Sequence, residues 1–157
     1  RYVQPAPAGL EGWSKAAVEI GRHLVQASAL AMPHDPIRTL DQLTEETGLD
    51  PTEVRLAVLD LKEAGLLWEA NLKGHVAPEC AMFVDFDEAF MPFSPAEDAR
   101  TLANRMGSGD QRASDTKLLA DNLGWEPRRM NSAICYLERA GAIEARHALA
   151  SKPWRAV

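Results

Sequence analysis

The chain repeats itself at an offset of 76 residues without a gap, and this repeat constrains the fold more than any other feature. Identical residues recur in both copies: Leu43 and Leu119, Gly48 and Gly124, Pro51 and Pro127, Ala57 and Ala133, Leu61 and Leu137. A period of this length is too long for a solenoid repeat. It therefore indicates two copies of one small domain within 157 residues.

The first copy predicts a helix, a tight turn, a second helix and a β-hairpin. Thr39 and Gln42 form a capping-box pattern, so a helix should begin near Thr39 and end before Gly48. Asp50 and Pro51 then begin a second helix, which Gly65 ends. We expect strands over residues 66–70 and 75–77, with a turn between them. A longer helix is predicted upstream, from Trp13 to Met32, where Pro33 stops it.

The second copy follows the same plan. An upstream helix is predicted from Pro95 to Met106, with Ser94 as its cap, followed by a loop from Gly107 to Ser114. Further helices are predicted over 115–124 and 127–140. A strand over 142–147, a loop over 148–152 and a return strand over 153–157 complete the copy.

This element order resembles the winged helix-turn-helix superfamily, present twice. The segments LTEETGLDPTEVRLAVLDLKEAGLL and LLADNLGWEPRRMNSAICYLERAGAIEAR are similar to the helix-turn-helix and first wing strand of bacterial MarR-type and ArsR-type regulators. The resemblance implies a mainly α fold with small β-hairpin wings. The predicted domains are a first winged helix over 10–79, an acidic and aromatic linker over 80–94, and a second winged helix over 95–157.

The predicted helix over 127–140 would be the recognition helix of the second copy, and it carries side chains that suit duplex DNA. Its outward stripe, taken from helical spacing, consists of Arg128, Asn131, Ser132, Cys135 and Arg139. Arg suits guanine edges and Asn suits adenine edges. Arg129 lies beside the stripe, and Arg146, Lys152 and Arg155 lie on or near the wing, where cations contact phosphates. The alternative is an ordinary solvated basic face.

The matching stripe of the first copy does not suit DNA. It consists of Thr52, Arg55, Leu56, Leu59 and Glu63. Leucines at this spacing predict burial against another helix or another chain. The alternative is that both leucines belong to the core of their own domain.

The upstream helix of the first copy has a heptad-like apolar seam. Its members are Trp13, Ala17, Ile20, Leu24, Ala27 and Ala31. The seam predicts a homodimer in which Trp13, Ile20 and Leu24, together with Leu56 and Leu59, form the protein interface. The alternative is that this helix packs on its own domain.

The four phenylalanines lie between the two copies, interleaved with acidic residues. Phe83, Phe86, Phe90 and Phe93 are spaced three, four and three apart, with Asp85, Asp87 and Glu88 among them. One interpretation is a linker that packs into both domains and sets their relative angle. The other is an acidic segment that binds a partner, or covers the basic face until it is displaced.

Charge leaves two hypotheses of function open. Residues 1–93 hold 7 Lys and Arg against 15 Asp and Glu, whereas residues 94–157 hold 10 against 8. The leading hypothesis is a bacterial transcriptional regulator, or the DNA-binding part of a larger protein, whose second copy binds duplex DNA. The alternative is a protein-interaction scaffold, similar in kind to the kleisin-associated subunit of bacterial condensin, or an accessory module of a larger enzyme.

Other functional classes are not indicated. No nucleophile or phosphate-loop motif occurs, so we expect neither catalysis nor a cofactor. His75, Glu79 and Cys80 lack the second ligand pair that a structural zinc site needs, so no metal is expected. Two cysteines cannot form a disulfide framework, and no apolar run could span a membrane, so we expect a reducing, cytoplasmic location. Because the first residue is Arg1, we expect a fragment or a processed chain.

Overall fold

The structure is a computed structural model that describes residues 6–70, 73–106, 116–141 and 153–155. Within these residues the fold is mainly helical, with one small antiparallel sheet. The helices are α1 (Lys15–Ala27), α2 (Leu40–Thr47), α3 (Pro51–Glu63), α4 (Cys80–Phe90), α5 (Pro95–Met106), α6 (Thr116–Leu123) and α7 (Pro127–Arg139). The strands are β1 (Arg38–Thr39), β2 (Leu67–Glu69) and β3 (His75–Pro78).

The sequence repeat is present in the helix boundaries. Adding 76 to each end of α2 and α3 gives the ends of α6 and α7. The turns also match, because Gly48 and Gly124 both adopt the left-handed conformation, with φ of 71° and 70°. A side chain is strained in that region, so glycine at these two positions allows the tight turn between the paired helices.

The predicted helix starts of the first copy are confirmed. The Thr39 hydroxyl accepts a hydrogen bond from the Gln42 backbone N–H, and the Gln42 side chain accepts one from the Thr39 N–H. Asp50 caps α3 by accepting from the Thr52 N–H at 2.9 Å. These bonds satisfy amide groups that the first turn of a helix leaves without partners.

The sheet has one strand more than the sequence predicted. β2 and β3 form the predicted hairpin, in which Trp68 pairs with Ala77. β1 pairs with the other side of β3 through Arg38 and Val76, so the order is β1-β3-β2. A two-residue strand is too short to show an alternating pattern, which is why sequence periodicity missed it.

The predicted helix over residues 13–32 is shorter in the structure. α1 ends at Ala27 because an alternative set of hydrogen bonds replaces the helical ones beyond it. The Asp35 carboxylate accepts from the Leu30 N–H at 2.6 Å and from the Ser28 hydroxyl at 2.8 Å. The Ser28 hydroxyl in turn accepts from the Ala31 N–H. Short polar side chains commonly compete with a helix in this way.

The predicted linker is a helix, α4, that packs against both repeats. Phe83 and Phe86 are fully buried in the core formed with α1 and α3. A second core forms between α5, α6 and α7 and contains Leu102, Met130 and Ile134. Cys135 of α7 belongs to the first core rather than the second. α4 therefore contacts helices of both repeats, through Phe83 in the first core and through a hydrogen bond between Asp87 and Arg128 of α7.

Several sequence predictions for the second copy lie outside the described residues. These are the loop from Gly107 to Ser114 and the wing strand and loop over 142–152, including Arg146 and Lys152. Residues 153–155 are described as a turn rather than the predicted strand. Among the described helices, none combines the length and the apolar character that crossing a bilayer requires.

Candidate functional site

The polar face of α7, which the sequence predicts to face outward, is buried inside the chain. The Arg128 guanidinium donates two hydrogen bonds to the Asp87 carboxylate of α4, both at 2.7 Å, and a third to the Val25 carbonyl of α1 at 2.9 Å. The planar guanidinium also lies 4.9 Å from the Phe83 ring centroid and 5.8 Å from that of Phe93. The expectation of a solvent-facing stripe is wrong at Arg128, because α4 covers it.

Asp87 is the acceptor around which this contact is organised. Its side chain is fully buried and also accepts a 2.6 Å hydrogen bond from the Ser132 hydroxyl. Burial raises the pKa of Asp87, while the hydrogen bonds from Arg128 and Ser132 oppose that rise. Ser132 is also fully buried, so neither predicted DNA contact is exposed in this arrangement.

Asn131 connects α7 to two distant segments. Its side-chain N–H group donates to the Leu30 carbonyl at 2.7 Å and to the Pro153 carbonyl at 2.8 Å. Its carbonyl oxygen accepts from the Arg155 backbone N–H, and the Arg155 side chain donates to the Ala31 carbonyl, each at 2.7 Å. Burial lowers the pKa of Arg155 to about 10. Asn131 and Arg155 therefore act as structural connectors here.

Two other predicted DNA contacts are paired with acidic residues but remain partly open. Arg139 donates to Asp85 of α4 at 2.7 Å, with 47% of its side chain exposed. Arg129 makes two 2.7 Å bonds to Asp98 of α5 and stacks 4.7 Å from the Trp125 ring centroid. Each of these cations already has a carboxylate partner within the chain.

The two cysteines, expected to remain reduced, form a disulfide between α4 and α7. Cys80 and Cys135 have Cα atoms 5.1 Å apart and are bonded through sulfur. The expectation failed because the residues are 55 positions apart, and the number of cysteines alone does not show that their side chains meet.

The outward face of α3 is open to water. Leu56 is 57% exposed and Leu59 is 49% exposed, beside exposed Thr52 and Arg55. The expectation of burial within the chain, whether in the core or against another helix, is wrong. The apolar residues that do enter the core are Val54, Ala57, Val58 and Leu61, on the opposite face of the helix. Only Ile37, at 37%, joins the two leucines as an exposed large apolar side chain among the described residues.

The upstream seam is core and not an interface. Ile20 and Leu24 are fully buried against the chain's own residues, as are Ala17 and Ala31. The predicted dimer contact through Ile20 and Leu24 is therefore wrong, and the alternative of packing on the first domain is confirmed. Trp13 is partly buried against the same core.

Asp87, named from the sequence only as one acidic residue of the segment 80–94, is the residue that most directly accounts for the covered face of α7. A signal was present in the spacing of Phe83, Phe86 and Phe90, which places three rings on one side of a helix. Asp87 follows Phe86 on that helix and faces the Arg128 guanidinium. Groups of three or more His, Cys, Asp or Glu side chains that could hold a metal are absent from the described part of the chain.

The equivalent faces of the repeated helices thus have opposite environments. Thr52, Arg55, Leu56 and Leu59 of α3 are exposed, whereas Arg128, Asn131, Ser132 and Cys135 of α7 are buried. The candidate site of this chain is accordingly the outward face of α3. Comparison with known proteins finds no family model, no curated protein and no solved structure that matches the chain.

Proposed function

We propose that this chain is a tandem winged-helix protein that serves as a protein-interaction scaffold, with the outward face of α3 as its docking surface. The single observation behind this proposal is the exposure of Leu56 and Leu59 at the positions where a winged helix would contact its partner. Exposed leucines grouped on one helix face are typical of a protein-binding surface.

The element order supports the winged-helix part of the proposal. α1, β1, α2 and α3 followed by the β2–β3 hairpin is the order expected for such a domain. The second repeat supplies α5, α6 and α7 in the matching order. Its wing lies outside the described residues, so the tandem assignment depends on these helices and on the 76-residue repeat.

The charge of the α3 surface favours a protein over a nucleic acid. Glu53, Asp60 and Glu63 are all exposed around the leucines, with Arg55 as the exposed cation on the same helix. A phosphate backbone attracts cations and repels carboxylates. An apolar surface with mixed charges around it instead suits a protein helix, which can bury its own apolar stripe against the leucines.

DNA binding through α7 is the second candidate, and the basic character of residues 94–157 favours it. It requires α4 to leave Arg128 and Ser132, and it requires Asn131 to exchange its hydrogen bond to Leu30 for one to DNA. The acidic segment would then act as a cover, as one interpretation of the sequence predicts. Arg146 and Lys152 would supply phosphate contacts in that arrangement.

A titration with duplex DNA separates the two candidates. We expect the wild-type chain to show no salt-dependent binding of duplex DNA. Arg128→Ala and Asn131→Ala should lower stability and leave DNA affinity unchanged. If binding is salt-dependent and its slope falls by about one in Arg129→Ala or Lys152→Ala, the DNA function is correct and the scaffold proposal fails.

A selection experiment tests the scaffold directly. A displayed library of amphipathic helical peptides is selected on the immobilised wild-type chain and then tested on the Leu56→Glu/Leu59→Glu variant. Ile37→Glu is the matched control, since Ile37 is also exposed but lies outside α3. We expect selected peptides to bind the wild type and the control but not the double variant. Equal binding to all three proteins would contradict the proposal.

A further inference from the structure

We propose that the partner of the α3 face is α3 of a second copy of this chain, in a parallel pair. This inference rests on the proposed docking role of α3 and names the partner. At 100° per residue, Leu56 and Leu59 lie close to the centre of the exposed face, opposite buried Val54 and Leu61. A second copy can therefore cover the leucines without disturbing the core.

The charges on the two sides of the leucines are segregated by sign, whereas Glu63, the last residue of α3, lies between the two sides. On a helical wheel Glu53 and Asp60 lie on one flank, and Arg55 and Lys62 lie on the other. The members of each pair are seven residues apart, so each flank presents the same charge over two turns. All four side chains are exposed or half-buried and can reach a neighbouring helix.

This segregation selects one orientation of the pair. When two α3 helices are related by a two-fold axis parallel to them, the acidic flank of each lies against the basic flank of the other. Arg55 then lies beside Glu53 and Asp60 of the second copy. In an antiparallel pair the acidic flanks would meet each other, as would the basic flanks. Like charges along both flanks disfavour that arrangement. A parallel pair brings only the two Glu63 side chains together, at the water-exposed end of the helix, where repulsion is weaker.

Lys62 has a second role within its own chain. Its Nζ atom lies 3.7 Å from a carboxylate oxygen of Glu69 on β2, with both side chains partly exposed. The ammonium can therefore form ion pairs with both Glu69 of its own chain and Asp60 of the second copy while it remains in contact with water. The charged flanks contribute orientation more than affinity, because exposed ion pairs are individually weak.

The contact is small, so the dimer should be weak. Two leucines and their flanks cover less than the roughly 1,200 Å² of a stable interface. We expect a dissociation constant on the order of 100 µM, which further protein contacts could lower. A weak dimer of this kind is reversible within the working range of sedimentation experiments.

Sedimentation of the whole chain with charge-exchange variants tests the pair. One variant, Arg55→Glu/Lys62→Glu, has two acidic flanks, and the other, Glu53→Arg/Asp60→Arg, has two basic flanks. The wild type should shift from 17.2 kDa towards twice that mass as its concentration rises from about 5 to 500 µM around the expected constant. The dissociation constant of each variant alone should be at least tenfold larger than that of the wild type. An equimolar mixture of the two variants should form a heterodimer.

Two further measurements fix the surface and the orientation. Leu56→Glu/Leu59→Glu should remain monomeric, whereas Ile37→Glu should dimerise like the wild type. Added salt should weaken a parallel wild-type dimer, whose flanks attract, and would strengthen an antiparallel one, whose flanks repel. Urea denaturation of every variant verifies that the fold is intact.

A monomeric wild type at about 500 µM, five times the expected constant, would overturn the inference. So would a dimer that survives the double leucine change, a mixture that does not associate, or a dimer strengthened by salt. A monomeric wild type that still binds selected helical peptides through Leu56 would leave the scaffold function standing, whereas salt-dependent DNA binding would remove that function as well.

Discussion

Leu56 and Ser132 occupy equivalent positions in two repeated helices, yet Leu56 is 57% exposed and Ser132 is fully buried. The apolar residue faces water because no helix in the described part of the chain lies against the outer face of α3. The polar residue is buried beneath α4, where its hydroxyl donates a 2.6 Å hydrogen bond to the Asp87 carboxylate. Side-chain polarity alone therefore predicts the reverse of the observed burial. The difference arises from α4, which packs on one repeat's outer face and not on the other's.

We expect Asp87→Ala to cost about 3–5 kcal/mol in the free energy of unfolding, because it leaves the buried Arg128 guanidinium without its carboxylate. Asp85→Ala is the matched control on the same helix. It breaks the half-exposed pair with Arg139 and should cost less than about 1 kcal/mol. Urea denaturation measures both. The double variant Asp87→Leu/Arg128→Met should recover most of the loss, and equal losses in the two single variants would contradict this account.

Gly21→Ala should destabilise the chain, although replacing glycine by alanine inside a helix usually stabilises the helix by about 1 kcal/mol. A Cβ atom at Gly21 of α1 would meet the Phe86 ring of α4 at 2.0 Å. Overpacking of this kind costs about 1–3 kcal/mol. Gly12→Ala, where nothing lies within 4 Å, should be close to neutral. Thermal unfolding should also show partial recovery in Gly21→Ala/Phe86→Leu, and a stabilised Gly21→Ala would show that α1 and α4 are not this close.

Two leucines of α3 should respond very differently to the same substitution. Leu61 is fully buried, so Leu61→Ala should cost about 2–5 kcal/mol. Leu59 is 49% exposed, and Leu59→Ala should change stability by no more than about 0.5 kcal/mol at dilute protein concentration. Denaturant midpoints of both variants check the prediction. Similar losses would place Leu59 in the core.

The disulfide should stabilise the oxidised chain by about 4 kcal/mol, because it closes a loop of 55 residues. Unfolding in denaturant with and without dithiothreitol measures the difference. The Cys80→Ser/Cys135→Ser variant should resemble the reduced wild type and should not respond to the reductant. Two reactive thiols in the oxidised, unfolded wild type would show that the bond does not form.

Features determined within a few residues could be predicted from the sequence. The Thr39 capping box, the Asp50 cap and the Gly48 turn all depend on neighbours in the chain, and each is present in the structure. The core stripe of each repeated helix was also predictable, because its apolar residues recur with helical spacing.

The environment of the outer faces could not be predicted in the same way, because it depends on a distant segment. Arg, Asn and Ser serve a polar contact between helices as well as they serve DNA, so Arg128 and Ser132 alone do not distinguish the two. Asp87 decides between them, and it lies 41 residues from Arg128 along the chain. Charge likewise left the role of Leu56 open, since its exposure depends on which helices lie nearby.

Cys135 belongs to the second repeat by sequence but lies in the core of the first, and Asn131 of the second repeat donates a hydrogen bond to Leu30 of the first. We therefore expect the unit of cooperative unfolding to include both repeats. A chain cut near residue 94 would leave Asp87 without its guanidinium and would open the first core at the position of Cys135. The second fragment would in turn expose the polar groups of α7 to water. Expression of either half should yield a less stable product than the intact chain, whose two cores are expected to melt together.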